Sequence, residues 1–200
     1  MSKQQTPNPF PHFKKLSKDV IEMFKKKRYD ECLEAVEKIL RRDPHHATAL
    51  TYRGIIAYER KGYKAALRDF NFLCKLEPKF PFSWNYVSKI HIYLKQYGKA
   101  RAALKKEMFL VPDPAEPWCM YALTRFLEGN EGAAFGILDY MEPYIKENQM
   151  FSYLRGIMHE KMGNKDEALV CFLENQMKLS PKDKYIPASK IYDLVSNTEN

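Results

Sequence analysis

The chain has 200 residues, 45% of them hydrophobic and 29% charged, with only eight glycines and twelve prolines. That is enough apolar chain to bury a core, and it excludes collagen-like, linker-like and disordered compositions. The net charge of +8 is unevenly spread: 24 Lys/Arg stand against 10 Asp/Glu up to residue 106, and 9 against 15 beyond it. Such a dipole steers acidic partners toward the N-terminal half.

No apolar run approaches the roughly 18 residues needed to span a bilayer, and Met1 to Phe13 lack the apolar stretch of a secretory signal. A cytoplasmic, reducing location is expected. Cys32, Cys74, Cys119 and Cys171 have no short metal-knuckle or redox spacing and read as reduced packing residues.

In chain order, residues 1–11 include Thr6-Pro7-Asn8-Pro9-Phe10-Pro11, an expected extended tail. The run Lys25-Lys26-Lys27-Arg28 marks a turn between two helices. The second of these carries Cys32, Leu33, Val36, Ile39 and Leu40 as one apolar stripe and stops before Pro44. The same alternation follows: a turn at Lys61-Gly62-Tyr63 and a stop at Glu77-Pro78, then turns at Tyr97-Gly98, Gly129-Asn130 and Gly163-Asn164. Pro143 is expected to end one helix early. Residues 182–200, with Ile191, Leu194 and Val195 on one face, are expected to form a closing helix and a polar tail.

Laid against itself at a shift of 34 residues, the chain aligns Pro44, Pro78 and Pro112, and also Tyr29, Tyr63 and Tyr97. Two small columns read Cys32, Ala66, Ala100, Ala134, Ala168 and Val20, Gly54, Ser88, Ala122, Gly156. Two bulky columns read Leu16, Leu50, Trp84, Trp118 and Val36, Phe70, Leu104, Leu138, Phe172. Five hairpins of two antiparallel helices are predicted, the small columns marking close helix approach. One hairpin cannot bury both faces, so the units stack.

Leu50…Gly54…Gly62-Tyr63…Ala66…Phe70…Pro78 and Trp84…Ser88…Tyr97…Ala100…Pro112 resemble the tetratricopeptide repeat (TPR) pattern over residues 12–181. Departures fall at Val20, at Lys146 in the proline column, and at Ser180, with Pro181 one place late. The resemblance implies an all-α fold: a right-handed α-solenoid of five hairpins plus a C-terminal capping helix. It also implies a concave face lined by the first helix of each unit.

Projected on that face, Tyr52, Ile55, Phe82, Asn85, Tyr86, Lys89, Tyr93, Met120, Leu123 and Leu127 form an expected aromatic groove, extended by Thr51, Cys119, Tyr153, Leu154 and Ile157. Large apolar groups gathered on a surface mark an interaction site, so a partner helix or extended peptide is expected there, oriented by Lys89 and Asn85. The alternative is that tighter superhelical winding, or the chain's own tail, covers some of these residues. Some relatives of this pattern clamp acidic chaperone tails with Lys, Asn and Arg. The corresponding places here hold Ser17, Ile21, Tyr52, Phe82 and Tyr86, so that binding is not expected.

A basic patch is read from Lys14, Lys15, Lys18, Lys25, Lys26, Lys27, Arg28, Arg41 and Arg42, suited to an acidic surface or to weak, sequence-indifferent RNA contact. The alternative for Lys25 to Arg28 is a solvated helix end whose cations offset the helix dipole. Specific nucleic-acid recognition is not expected, since no RNP-like motif, KH loop or zinc knuckle occurs. No phosphate loop, nucleophile elbow or HExxH motif occurs either. His91 and His159 share one repeat column, as packed residues do, and His45-His46 lies in a turn. No enzyme, cofactor, metal site or membrane insertion is expected. The function read from the sequence is a non-catalytic protein–protein adaptor. The alternative is a structural subunit of a larger, ribosome-associated or cytoskeletal assembly, docked through the basic N-terminal half.

Overall fold

The computed structural model describes residues 16–146 and 148–177. The expected tail, Lys14, Lys15 and the closing helix after Pro181 lie outside the described residues. Among those described, ten α-helices and no strand are found. They form two compact units, residues 1–79 and 80–200.

The first unit holds α1 (Lys18–Lys25), α2 (Tyr29–Arg42), α3 (Ala47–Glu59) and α4 (Tyr63–Leu76). Consecutive helices pack as the hairpins α1–α2 and α3–α4, with α2 against α3. Its core is Cys32, Val36, Leu50, Ile56, Ala66, Phe70 and Leu73, all buried. Arg53 on α3 forks onto Asp69 on α4 through Nε–Oδ2 and Nη2–Oδ1 bonds of 2.8 and 2.6 Å, a bidentate pairing that fixes the angle of the hairpin.

The second unit holds α5 (Pro81–Tyr93), α6 (Tyr97–Met108), α7 (Ala115–Leu127), α8 (Glu131–Ile145), α9 (Gln149–Lys161) and α10 (Lys165–Met177). The hairpins are α5–α6, α7–α8 and α9–α10, joined by α6–α7 and α7–α9 packing. One continuous core runs from Ile92 and Leu104 through Met120, Leu123 and Leu138 to Leu154, Ile157 and Met158.

The two columns offset by 16 residues explain how every hairpin closes. A Cβ built on Gly54 would stand 3.0 Å from the Phe70 ring, and one on Gly156 only 2.6 Å from the Phe172 ring. Where the bulky partner is Leu (Leu104, Leu138), the small residue is Ser88 or Ala122; where it is Val36, the small residue grows to Val20. Summed volume is held nearly constant, as close packing requires.

Every hairpin turn is built alike. After α3, Gly62 N–H donates to Ala57 C=O and Lys61 N–H to Tyr58 C=O, a Schellman motif. The left-handed residue is Lys27, Lys61 and Lys95 in the first three turns (φ 57, 59 and 55°) and Gly129 and Gly163 in the last two (79 and 84°). The expected turns at Lys61-Gly62, Gly129-Asn130 and Gly163-Asn164 fall between helices, with Tyr63 already starting α4. The one at Tyr97-Gly98 is corrected, because both residues lie inside α6 and the turn is at Lys95-Gln96. The expected stop at Pro143 is also corrected. Pro143 sits inside the last turn of α8, where its missing N–H removes a single bond, and Lys146 N–H still closes onto Glu142 C=O.

Candidate functional site

The candidate surface of the second unit is built on α5. Pro81 starts the helix with its φ already set, and Phe82, Tyr86, Lys89 and Tyr93 then follow at spacings of four, three and four, one stripe of a helix. The Phe82 and Tyr86 rings lie 4.9 Å apart and tilted, with Phe80 stacked 5.7 Å from Phe82. All of these side chains are half-buried. Aromatic rings held by one another in this way are stiff contact surface.

Beside them lies a charged junction. Lys89 Nζ is 2.9 Å from Glu116 Oε1 on α7. Asn85 Nδ2 donates to Glu107 Oε1 on α6 at 2.8 Å and to Glu116 Oε1 at 3.3 Å. Glu107 is 4% exposed. Burial, together with the Glu116 charge, pushes its carboxyl up to about 7 against the pull of Asn85 and Lys89. Burial acts the same way on Glu116, but there the Lys89 charge and hydrogen bond prevail and hold the group below the usual carboxylate range.

The expected groove residues separate into two sets. Tyr52 and Ile55 belong to the first unit, half-buried, with Tyr52 edge-on to Phe24 at 4.8 Å. In the second unit Phe82, Asn85, Tyr86, Lys89, Tyr93, Leu127 and Tyr153 are likewise half-buried.

Met120 and Leu123 are corrected: at 1% and 0% exposure they are core, together with Cys119, Leu154 and Ile157. Their helices, α7 and α9, pack on each other as well as on α8, so the face expected to be open is roofed. Thr51 is buried too, its hydroxyl donating to Ala47 C=O at 2.9 Å. Asn85 and Lys89, expected to meet a partner, are engaged within the chain. Sequence reasoning misses the junction with Glu107 and Glu116; its one visible sign is a Glu at a repeat position that holds Ile39, Leu73 and Met141 in three other units and Asn175 in the fifth.

The basic patch also divides. Lys25, Lys26, Lys27 and Arg28 sit at the α1–α2 turn, where Lys26 pairs with Glu22 at 2.7 Å and Arg28 with Glu31 at 3.2 Å. Arg41 and Arg42 end α2, and fourteen residues at about 1.5 Å each put them ~20 Å away. There, with Lys38, Ile39 and Asp43, they line a cleft of about 530 Å³. Lys18 opens α1, which runs antiparallel to α2, and so lies toward the Arg41 end.

His91 is buried, its Nδ1 3.0 Å from Gln96 Oε1, and burial lowers its pKa despite that bond. His159 packs against Phe135 at 4.7 Å. All four cysteines are free and buried; burial pushes the Cys74 thiol up to about 12 and raises Cys32, Cys119 and Cys171 as well. No group of three metal-binding side chains occurs among the described residues, and no helix among them is long and apolar enough to cross a membrane.

A TPR protein of Thermus thermophilus superposes with a TM-score of 0.65 over 90% of this chain and 96% of its own, at 18% identity. The fold is of the TPR type. Other neighbours are MamA of Desulfovibrio magneticus RS-1 (TM-score 0.65, 17% identity, 83% of this chain and 94% of that one) and a tetratricopeptide repeat protein from Parabacteroides merdae (0.63, 16%, 90% and 68%). No family model matches the chain. In sequence, an N-terminal acetyltransferase A complex subunit-like protein of Schizosaccharomyces pombe is 19% identical over 98 residues, 49% of this chain. The match spans 14% of that relative.

Proposed function

We propose that the chain is a non-catalytic protein-interaction module whose second unit receives a partner helix or extended peptide on the α5 face. The observation that carries this reading is the Phe80–Phe82–Tyr86 ring cluster, half-buried beside the Lys89–Glu116 pair. Rigid aromatics flanked by a charged pair combine the anchor and the orienting group that peptide recognition uses.

Phe82→Ala/Tyr86→Ala should abolish recovery of the partner in affinity capture with mass spectrometry while circular dichroism stays helical. Undiminished recovery refutes the reading. Met120 and Leu123 do not belong in that test, because truncating them would open the core.

A second reading, assembly through the basic first unit, is favoured by charge. Residues 1–79 carry 18 Lys/Arg against 10 Asp/Glu, whereas residues 80–200 carry 15 of each. The complex-subunit name of the fission-yeast relative is in keeping with it. Capture that is lost in high salt and survives Phe82→Ala/Tyr86→Ala selects this second reading, because surface ion pairs are screened and ring burial is not.

A further inference from the structure

Partner docking gives no account of Glu107. Its carboxyl group occupies a repeat position that holds Ile39, Leu73, Met141 and Asn175 in the other units, and it is almost wholly removed from water. Asn85 Nδ2, on α5, donates to Glu107 Oε1 and to Glu116 Oε1. Lys89, also on α5, is committed to Glu116 on α7. The second oxygen of Glu107, Oε2, is buried without a hydrogen-bond partner. Asn85, Lys89 and Glu116 are the groups that act on Glu107 from the helices packed against α6.

This geometry tolerates a neutral carboxyl far better than a charged one. A protonated Glu107 leaves one neutral carboxyl O–H or C=O unmatched, whereas an ionised one puts a full charge beside Glu116 with one oxygen that accepts no hydrogen bond. We propose that Glu107 is a proton-operated latch at the junction of α5, α6 and α7: neutral, it lets Lys89 stay on Glu116; ionised, it draws the Lys89 ammonium toward itself. Lys89 lies four residues beyond Asn85 on the same face of α5, and its charge already acts on both carboxylates. Glu116, with a third of its side chain exposed, has water to replace Lys89. Phe82 and Tyr86 stand on that same stripe, so moving Lys89 re-forms the aromatic face. The latch is a property of the chain alone and stands whether or not a partner binds there.

The pH window follows from the direction of the shift. The folded chain holds a proton at Glu107 that the unfolded chain releases near 4.5, so the stabilisation is complete below that pH and is lost as pH rises through about 7.

The two tryptophans of the chain, Trp84 and Trp118, sit on α5 and α7, and their fluorescence reads the junction. Titrated from about pH 5 to about pH 9, the full chain should show a one-proton transition with a midpoint near 7. It should vanish in Glu107→Gln and persist in His91→Asn, since His91 titrates below its usual range. A transition that survives Glu107→Gln, or is absent from the unsubstituted chain, overturns the proposal. Carboxyl carbon NMR of the unsubstituted chain tests the same point without any variant: a glutamate resonance with its midpoint near 7 is required, and its absence sinks the latch.

Discussion

Leu73 on α4 and Glu107 on α6 stand one repeat apart at the same place in their hairpins, and both are buried. Around Leu73 the equivalent positions are closed or apolar: Thr51 returns its hydroxyl to its own helix, and Ile55 is half-buried. Around Glu107 the same positions are Asn85 and Lys89, which reach across to α6 and α7. Repeat position therefore fixes where a side chain stands without fixing its chemistry. A carboxyl group is accepted in the core only where its donors arrive with it, on other helices.

The strongest way to break this comparison is to move the carboxyl group without its company. Leu73→Glu places an unpaired acid in the first unit and should destabilise it by more than the about 2–5 kcal/mol of Leu73→Ala, as read by urea unfolding followed at the helical circular dichroism signal. If the two substitutions cost the same, burial rather than pairing decides what this position accepts.

A smaller effect is expected where hairpins close. Gly54→Ala brings its methyl onto the Phe70 ring and should cost about 1–3 kcal/mol. Adding Phe70→Leu, which reproduces the Ala122–Leu138 combination of the second unit, should restore part of that loss in a double-mutant cycle. Strict additivity would mean the two columns do not compensate.

The smallest effect is at the turns. Lys61 and Lys95 adopt the left-handed backbone that Gly129 and Gly163 adopt at no steric penalty. Lys95→Gly should be neutral to stabilising, up to about 1 kcal/mol in thermal unfolding. A clear loss would show that the lysine side chain holds the turn.

The five hairpins were legible because each rests on local rules that recur: apolar spacing along a helix, a proline beyond its end, and a small residue opposite a large one 16 positions later. The groove was legible in part. Helical phase put Phe82, Tyr86 and Lys89 on one stripe, and the structure keeps them together. Phase did not distinguish them from Met120 and Leu123, which occupy comparable places on α7 and are buried because α9 packs there as well.

Sequence by itself determined the period, the helix pairs and the complementary volumes that shut each hairpin, since these depend on neighbours a fixed number of residues away. Tertiary structure decided which stripes are roofed and how Asn85, Lys89, Glu107 and Glu116 meet. Exposure depends on how far the next helix overhangs. A hydrogen bond spanning 22 or 31 residues obeys no repeat, so no periodicity announces it.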